Sequence, residues 1–347
     1  MNTPPTTKNR LAEIFLAHDG KLTDKWEQYF PIYAGELARY VDSGTPVRLL
    51  EVGVQNGGSL EVWSKYLPAG SHIVGVDIDP LVGNLTFEGN VRAHVADIND
   101  TDRVDSLIGG EPFDVIVDDG SHTSSDIIAT FRRLFPRLAP GGKFIIEDLH
   151  ASYWKSHEGG LRLKTSSIEY FKGLVDAVNA DYIDKSENLS ADEKSELQEF
   201  GRQIARISFY DSVAVVEKLA QDKKGPYRHV LSGQLAAVND PTEFIINAPS
   251  SLVSSWILSE VAARSIDLKL KEAAQRARQE AAEAQRARQR SEDEYNRCQK
   301  MLVELERRSS ELTQDLHQAL SQRDAAMAKP TAVVVGWLRR IARLVRK

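Results

Sequence analysis

The chain has 347 residues, 41% of them hydrophobic and 27% charged, which supports one large core or two modest ones and is too mixed for wholesale disorder. A single cysteine, Cys298, excludes an internal disulfide framework, and eight histidines without cysteine partners argue against a thiolate zinc site, so a reducing, cytoplasmic setting is expected. The net charge of −6 is unevenly spread: residues 1–260 carry 25 basic against 38 acidic groups, which disfavours a nucleic-acid substrate, whereas 331–347 carry five basic groups and no acidic one.

The N-terminal residues lack the cationic-then-apolar pattern of a secretory signal, and no run reaches the ~18 apolar residues of a membrane span. In chain order, 8–43 reads as helical. Leu11, Ile14 and Phe15 precede a break at Gly20, and Trp26, Phe30, Tyr33, Leu37 and Tyr40 then recur at three- or four-residue steps before Gly44 and Pro46. Strands are expected at 47–52, 73–76, 91–95, 113–117 and 143–146, with helices near 59–66, 101–108 and 125–138. Near-continuous apolar strands alternating with helices predict a parallel sheet covered on both faces, an α/β fold. The runs 204–210 and 213–219 flank Asp211-Ser212 and read as an antiparallel hairpin closing the sheet edge, while 155–200 and 221–260 carry no legible motif.

Beyond this point the composition turns to Ala, Arg, Glu and Gln, and Ala-Gln-Arg-Ala-Arg-Gln occurs at 274–279 and again at 284–289. Alternate steps of four and three from Leu270 reach Ala274, Tyr295, Cys298, Leu302, Leu305, Leu312 and Leu316, interrupted at Arg288, Ser291 and Ser309. That seam predicts a coiled coil over 261–330 and a homo-oligomer through it, the alternative being a single exposed helix. In 331–347, Trp337, Leu338, Ile341, Leu344 and Val345 share a helical stripe, with Arg339, Arg340, Arg343, Arg346 and Lys347 elsewhere. Such a helix suits an anionic membrane surface; docking on the acidic body or on a partner protein are the alternatives.

The chemistry-bearing residues sit at strand ends. Leu49-Leu50-Glu51-Val52-Gly53-Val54-Gln55-Asn56-Gly57-Gly58-Ser59 is a strand, a glycine turn and a helix start, but not a G-x-G-x-x-G fingerprint, because Gln55 stands at the second glycine. The Glu51 carboxylate disfavours a pyrophosphate there and suits a cationic ligand. Asp77 closes the next strand, where it can accept hydrogen bonds from ribose hydroxyls, and Asp97 ends the third, in a position that can meet an adenine amino group. Val117-Asp118-Asp119-Gly120-Ser121-His122 and Ile145-Ile146-Glu147-Asp148-Leu149 end two further strands. Carboxylates gathered without thiols suit a hard cation such as magnesium, and His122 is placed as a general base. The plain structural alternative has Asp118 or Asp119 capping the following helix and His122 packed as a polar residue.

These motifs, with Pro140-Gly141-Gly142 and Ser152-Tyr153-Trp154, resemble class I S-adenosylmethionine-dependent methyltransferases, a Rossmann-like sheet, from Asp24-Lys25-Trp26 to the 204–219 hairpin. Within them the chain is most similar to the metal-dependent sugar O-methyltransferases of glycosylated macrolide and polyketide antibiotics, the mycinamicin and elloramycin type. The resemblance implies that Asp119, Glu147 and Asp148 hold Mg2+ and that His122 is the catalytic base. It further implies that Glu51 and Gly53 approach the methionine part of S-adenosylmethionine, Asp77 its ribose and Asp97 its adenine. The expected order is an N-terminal helical segment, 1–46, a methyltransferase domain, 47–260, the coiled coil and the basic helix. The long coiled coil and basic tail lead to the expectation of an O-methyltransferase of a glycan, a lipid-linked cell-surface polysaccharide, held peripherally on the inner membrane face. The alternatives are a methyltransferase of a glycosylated small-molecule natural product and a non-catalytic coiled-coil membrane scaffold.

Overall fold

The computed structural model describes residues 9–184, 187–234, 241, 245, 256–328 and 332–344, and their contacts divide the chain into two compact units, Met1–Tyr227 and Arg228–Lys347. The first unit is built on five parallel strands, β1 (Arg48–Val52), β2 (His72–Asp77), β3 (Val91–Val95), β4 (Phe113–Asp118) and β5 (Leu138–Ile146), and an antiparallel pair, β6 (Ile204–Phe209) and β7 (Ala214–Lys218). The order across the sheet is β3-β2-β1-β4-β5-β7-β6, so the hairpin inserts its second strand beside β5 and leaves β6 at the edge. This is the expected α/β sheet, whose strand order, not strand direction, reverses between β1 and β4, where open sheets of this kind bind ligands at their carboxyl ends.

Alternation along β1 explains why its apolar run is unbroken. Leu50 and Val52 join a core with Phe113, Ile116 and Phe144, closed by α4 (Thr101–Ile108), α5 (Ser124–Leu134), α6 (Ser167–Val178) and α7 (Ala191–Gly201). Leu49 faces the opposite way, with Val115, Val117 and Ile145, under α1 (Arg10–Leu16), α2 (Tyr29–Ser43) and α3 (Gly58–Tyr66). Both faces are therefore covered, the condition for a parallel sheet. Helices α6 and α7 occupy the stretch that carried no legible motif. The second of them opens on a capping box, Ser190 with Glu193.

The helical reading of 8–43 needs correction. Between α1 and α2 the chain leaves the helix, and Trp26, expected on a buried helical face, is 54% exposed in that connection. Tertiary contacts explain the break: the Lys21 amide donates to Glu61 Oε2 (2.9 Å), and the Lys21 and Leu22 carbonyls lie so close to Gly58 that a Cβ there would overlap them. β5 is also longer than its apolar core, since Pro140-Gly141-Gly142 runs inside it instead of forming a separate turn.

The second unit contains a two-stranded parallel pair, β8 (His229–Leu231) and β9 (Trp256–Leu258), then α8 (Glu260–Ala328) and α9 (Ala332–Leu344). α8 is one continuous helix of 69 residues with Leu302, Leu305, Leu312 and Leu316 exposed, consistent with a strand of a coiled coil. The side chain of Trp337 and those of 343–347 lie outside the described residues. Among the described residues, no helix is long and apolar enough to cross a membrane.

Candidate functional site

Backbone hydrogen bonds beyond the strand ends bring the expected residues into one row. The Gly53 amide donates to the Val76 carbonyl, Asp119 to Val52, and Glu147 to Asp118, so the ends of β2, β1, β4 and β5 stay in register past their last paired residues. Two cavities open there, sharing Gly53 and Gly120 as a common wall. Gly53 has φ +90°, and a Cβ on it would be driven into the Asp119 carbonyl, so only glycine permits this close approach of two strand ends.

One cavity, about 390 Å³, is lined by Asp77, Asp97, Asn99 and Asp118 among polar residues and by Val52, Val76, Ile78 and Ile98 among apolar ones. Asp77 Oδ2 accepts from the amides of Val54 (2.7 Å) and Gln55 (2.9 Å), and its Oδ1 from Asp79 (2.8 Å); the carboxylate is fixed, with lone pairs left for a hydroxyl. Asp97 Oδ1 accepts from the Asn99 amide (2.8 Å). Burial pushes the Asp118 carboxyl up to about 7, and its Oδ2 has no hydrogen-bond partner.

The other cavity, about 210 Å³, holds Asp119, His122, Glu147 and Asp148 under a wall formed by 22–26 and Tyr29. His122 and Asp148 both have φ +54°, a left-handed backbone uncommon for residues with a Cβ. That turn brings Asp148 to the same cavity as Glu147, which regular strand alternation would have sent to the opposite face. His122 Nε2 lies 3.4 Å from Asp148 Oδ2 and 3.9 Å from Asp119 Oδ1. Asp148 Oδ1 in turn accepts from the Tyr29 hydroxyl (2.6 Å) and Trp26 Nε1 (3.1 Å).

Glu147 is buried behind this group. Lys25 Nζ donates to its two oxygens (2.9 and 2.8 Å) and also to Asp119 Oδ2, while the Tyr33 hydroxyl donates to Glu147 Oε1. Burial pushes the Glu147 carboxyl up, with Lys25 opposing and the Asp119 charge reinforcing it. Burial works against the Lys25 ammonium, yet Glu147, Asp119 and Glu51 outweigh it and hold its pKa well above that of a free lysine. One ammonium faces three carboxylates here, a cluster of oxygen donors that fits a divalent cation. Asp119, His122 and Asp148 can each turn one ligand atom to within 4.8 Å of the others, an oxygen-dominated set compatible with Mg2+.

Of the expected residues, Gly53, Asp119, His122, Glu147 and Asp148 therefore share one cavity, and Asp77 and Asp97 the adjoining one. Glu51 is on neither wall. It is fully buried beneath the glycine turn, where its Oε2 accepts from Ser59 Oγ (2.8 Å) and burial pushes it up to about 7. Lys25, Tyr29 and Tyr33 were not read as site residues. Tyr29 and Tyr33 follow the apolar rhythm of a core helix, so periodicity masks their hydroxyls; for Lys25 the cue is its place in Asp24-Lys25-Trp26, where the family resemblance begins.

Residues 50–149 match a family model described as a methyltransferase domain. The chain is 33% identical over 233 residues to the 8-demethyl-8-alpha-L-rhamnosyl tetracenomycin-C 2'-O-methyltransferase of Streptomyces olivaceus, a match covering 62% of this chain and 56% of that protein. It is 32% identical over 190 residues to the mycinamicin VI 2''-O-methyltransferase of Micromonospora griseorubida, covering 52% and 45% respectively. Among solved structures, a methyltransferase from the mycinamycin biosynthetic pathway in complex with Mg, SAH and mycinamycin VI superposes with a TM-score of 0.51 at 28% identity, over 62% of this chain and 54% of that one. The chain spans about half the length of the curated relatives it matches.

Proposed function

From a class I methyltransferase fold with a methyltransferase domain at residues 50–149, we propose that this chain is an S-adenosylmethionine- and Mg2+-dependent O-methyltransferase acting on a sugar hydroxyl of a glycosylated small molecule. The observation that carries the reading is the pair of cavities meeting at Gly53 and Gly120, one walled by the Asp77 and Asp97 carboxylates and the other by Asp119, His122 and Asp148. Relatives whose names carry a rhamnosyl tetracenomycin and mycinamicin VI favour a natural-product acceptor over the lipid-linked polysaccharide expected at first.

In this mechanism Asp77 and Asp97 orient the nucleoside, and the bare backbone at Gly53 admits the remainder of the cofactor toward the acidic cavity. Asp119 and Asp148, with Glu147 once it is freed from Lys25, would hold the metal. S-adenosylmethionine supplies an activated methyl group when bound, and Mg2+ supplies the positive charge that makes a sugar hydroxyl acidic. His122 would take the sugar hydroxyl proton at Nε2 as that oxygen receives the methyl group. Asp148, anchored by Trp26 and Tyr29 and 3.4 Å from His122 Nε2, would stabilise the imidazolium once that nitrogen carries the proton. The 22–26 wall keeps bulk water off the reacting oxygen.

Around this centre we infer that chains associate through the exposed leucine seam of α8, and that α9, with Leu338 and Ile341 exposed beside Arg339 and Arg340, touches an anionic membrane surface. Calorimetry with SAH and a methyl-transfer assay on an aryl rhamnoside test the main reading. Binding of SAH with transfer that stops in EDTA is expected. Full transfer in excess chelator, with metal content checked, would remove the metal from the mechanism, and absence of SAH binding would favour the non-catalytic scaffold.

A further inference from the structure

Lys25 stands where two of the expected metal ligands meet. Its side chain is 8% exposed, its Nζ touches Asp119 Oδ2, and it lies 2.8 Å from Glu147 Oε2. An ammonium seated between those two oxygens occupies the position a divalent cation bridging Asp119 and Glu147 would take. The backbone around it is tied down: the Lys21 amide is held by Glu61, the His18 ring contacts the Lys21 carbonyl (2.9 Å), and Trp26 and Tyr29 are bonded to Asp148. Only the flexible four-carbon stem is free to move. A second station lies within its reach: Glu51 Oε1 is buried, makes no hydrogen bond of normal geometry among the described residues although the Trp63 indole N–H is beside Glu51, and sits 3.9 Å from Lys25 Nζ. An unpaired buried carboxylate oxygen is costly and gains from a cation moving toward it.

We propose that Lys25 is a built-in counter-ion that holds Asp119 and Glu147 together before metal binds, and that a divalent cation displaces it onto Glu51. Lys25 is then a positioning residue: it keeps the carboxylates close without metal, sets metal affinity by competing for the same oxygens, and ends beside the glycine turn that admits the cofactor. No covalent bond changes, and the ammonium keeps its proton throughout. The inference rests on the metal reading above.

The test is Mg2+ calorimetry and thermal unfolding of the full chain, neither of which depends on turnover. Lys25→Met removes the competitor, so Mg2+ should bind at least about tenfold more tightly, while the midpoint in EDTA falls by about 5 °C or more because buried carboxylates lose their partner. Glu51→Gln removes the second station and should weaken Mg2+ binding by about fivefold in the native background but less than about twofold when combined with Lys25→Met. Folded Lys25→Met protein that binds Mg2+ no more tightly than the native chain overturns the proposal. Should Lys25→Met fail to fold, Glu51→Gln decides alone, and unchanged Mg2+ affinity overturns it. A native chain that binds no Mg2+ defeats the metal reading and this inference together; Mg2+ binding that is insensitive to both substitutions defeats this inference only.

Discussion

His122 and Asp148 adopt left-handed backbone at the ends of two neighbouring strands, and in both cases the turn carries a polar side chain into the acidic cavity. Such conformations cost about 1 kcal/mol or more for residues with a Cβ and persist where the surroundings impose them. Asp148 makes no side-chain cap hydrogen bond to the helix that follows it. Replacing His122 with Ala should therefore lower turnover by the ~10²–10⁴-fold of a lost general base, with SAH affinity and thermal midpoint nearly unchanged. Steady-state kinetics beside calorimetry provide the check. A loss of less than about threefold would return His122 to the role of an ordinary polar residue.

At the level of elements, α2 runs from the site along one face of the sheet to β5 and β6. Tyr29 and Tyr33 on its first turns reach Asp148 and Glu147, and one turn further Glu36 is buried against β5 and β6. Glu36 accepts hydrogen bonds from Lys143 Nζ and the Tyr210 hydroxyl and from Arg206 Nη2 (3.0 Å). Burial alone would raise its pKa, but those bonds and the charges of Lys143 and Arg206 outweigh it and hold the carboxyl below the usual range. A carboxyl depressed in the folded state contributes stability that is complete above its unfolded pKa and is lost as pH falls through the folded value. Glu36→Gln should cost about 3–5 kcal/mol near neutrality, since it strands the Lys143 ammonium in the core, and the gap to the native chain should narrow below about pH 4.5. Urea unfolding at several pH values measures this. A gap that is constant from neutral to acid pH would show that folding does not shift the Glu36 pKa.

For the molecule as a whole, the two units carry different expectations, because every residue of the proposed site precedes Tyr227. In the second unit, Leu305 and Leu312 are 61% and 69% exposed on α8, an apolar seam that pairing between chains would bury. Light scattering should return a mass of at least two chains, and Leu305→Glu with Leu312→Glu should reduce it to one while SAH still binds; a native monomer refutes association through α8. Removing 331–347 should release the chain from anionic liposomes without changing methylation of a soluble acceptor, because several weak amphipathic helices on one oligomer bind by avidity. Undiminished co-sedimentation of the truncated chain would assign α9 to protein docking instead.

Local patterns in the sequence determined the strands, the sheet's two covered faces and the acidic strand ends. A mostly apolar run that ends on a glycine turn or a carboxylate has the same meaning wherever it occurs, as at 47–52 with Gly53 and at 113–119. The long helix was legible for the same reason, since a 3.5-residue seam repeats over many turns. What only the tertiary structure decided were pairings across distance. Lys25 meets Glu147 across 122 positions and Tyr33 meets it across 114, and no local spacing encodes such contacts. The 17–28 connection leaves the helix because Glu61 and Gly58, on another element, offer its backbone better partners than its own helix would. Glu51 and Glu147 look alike as acids near strand ends, yet Glu51 is sealed inside β1 beneath the glycine turn while Glu147, one residue past β5, borders a cavity.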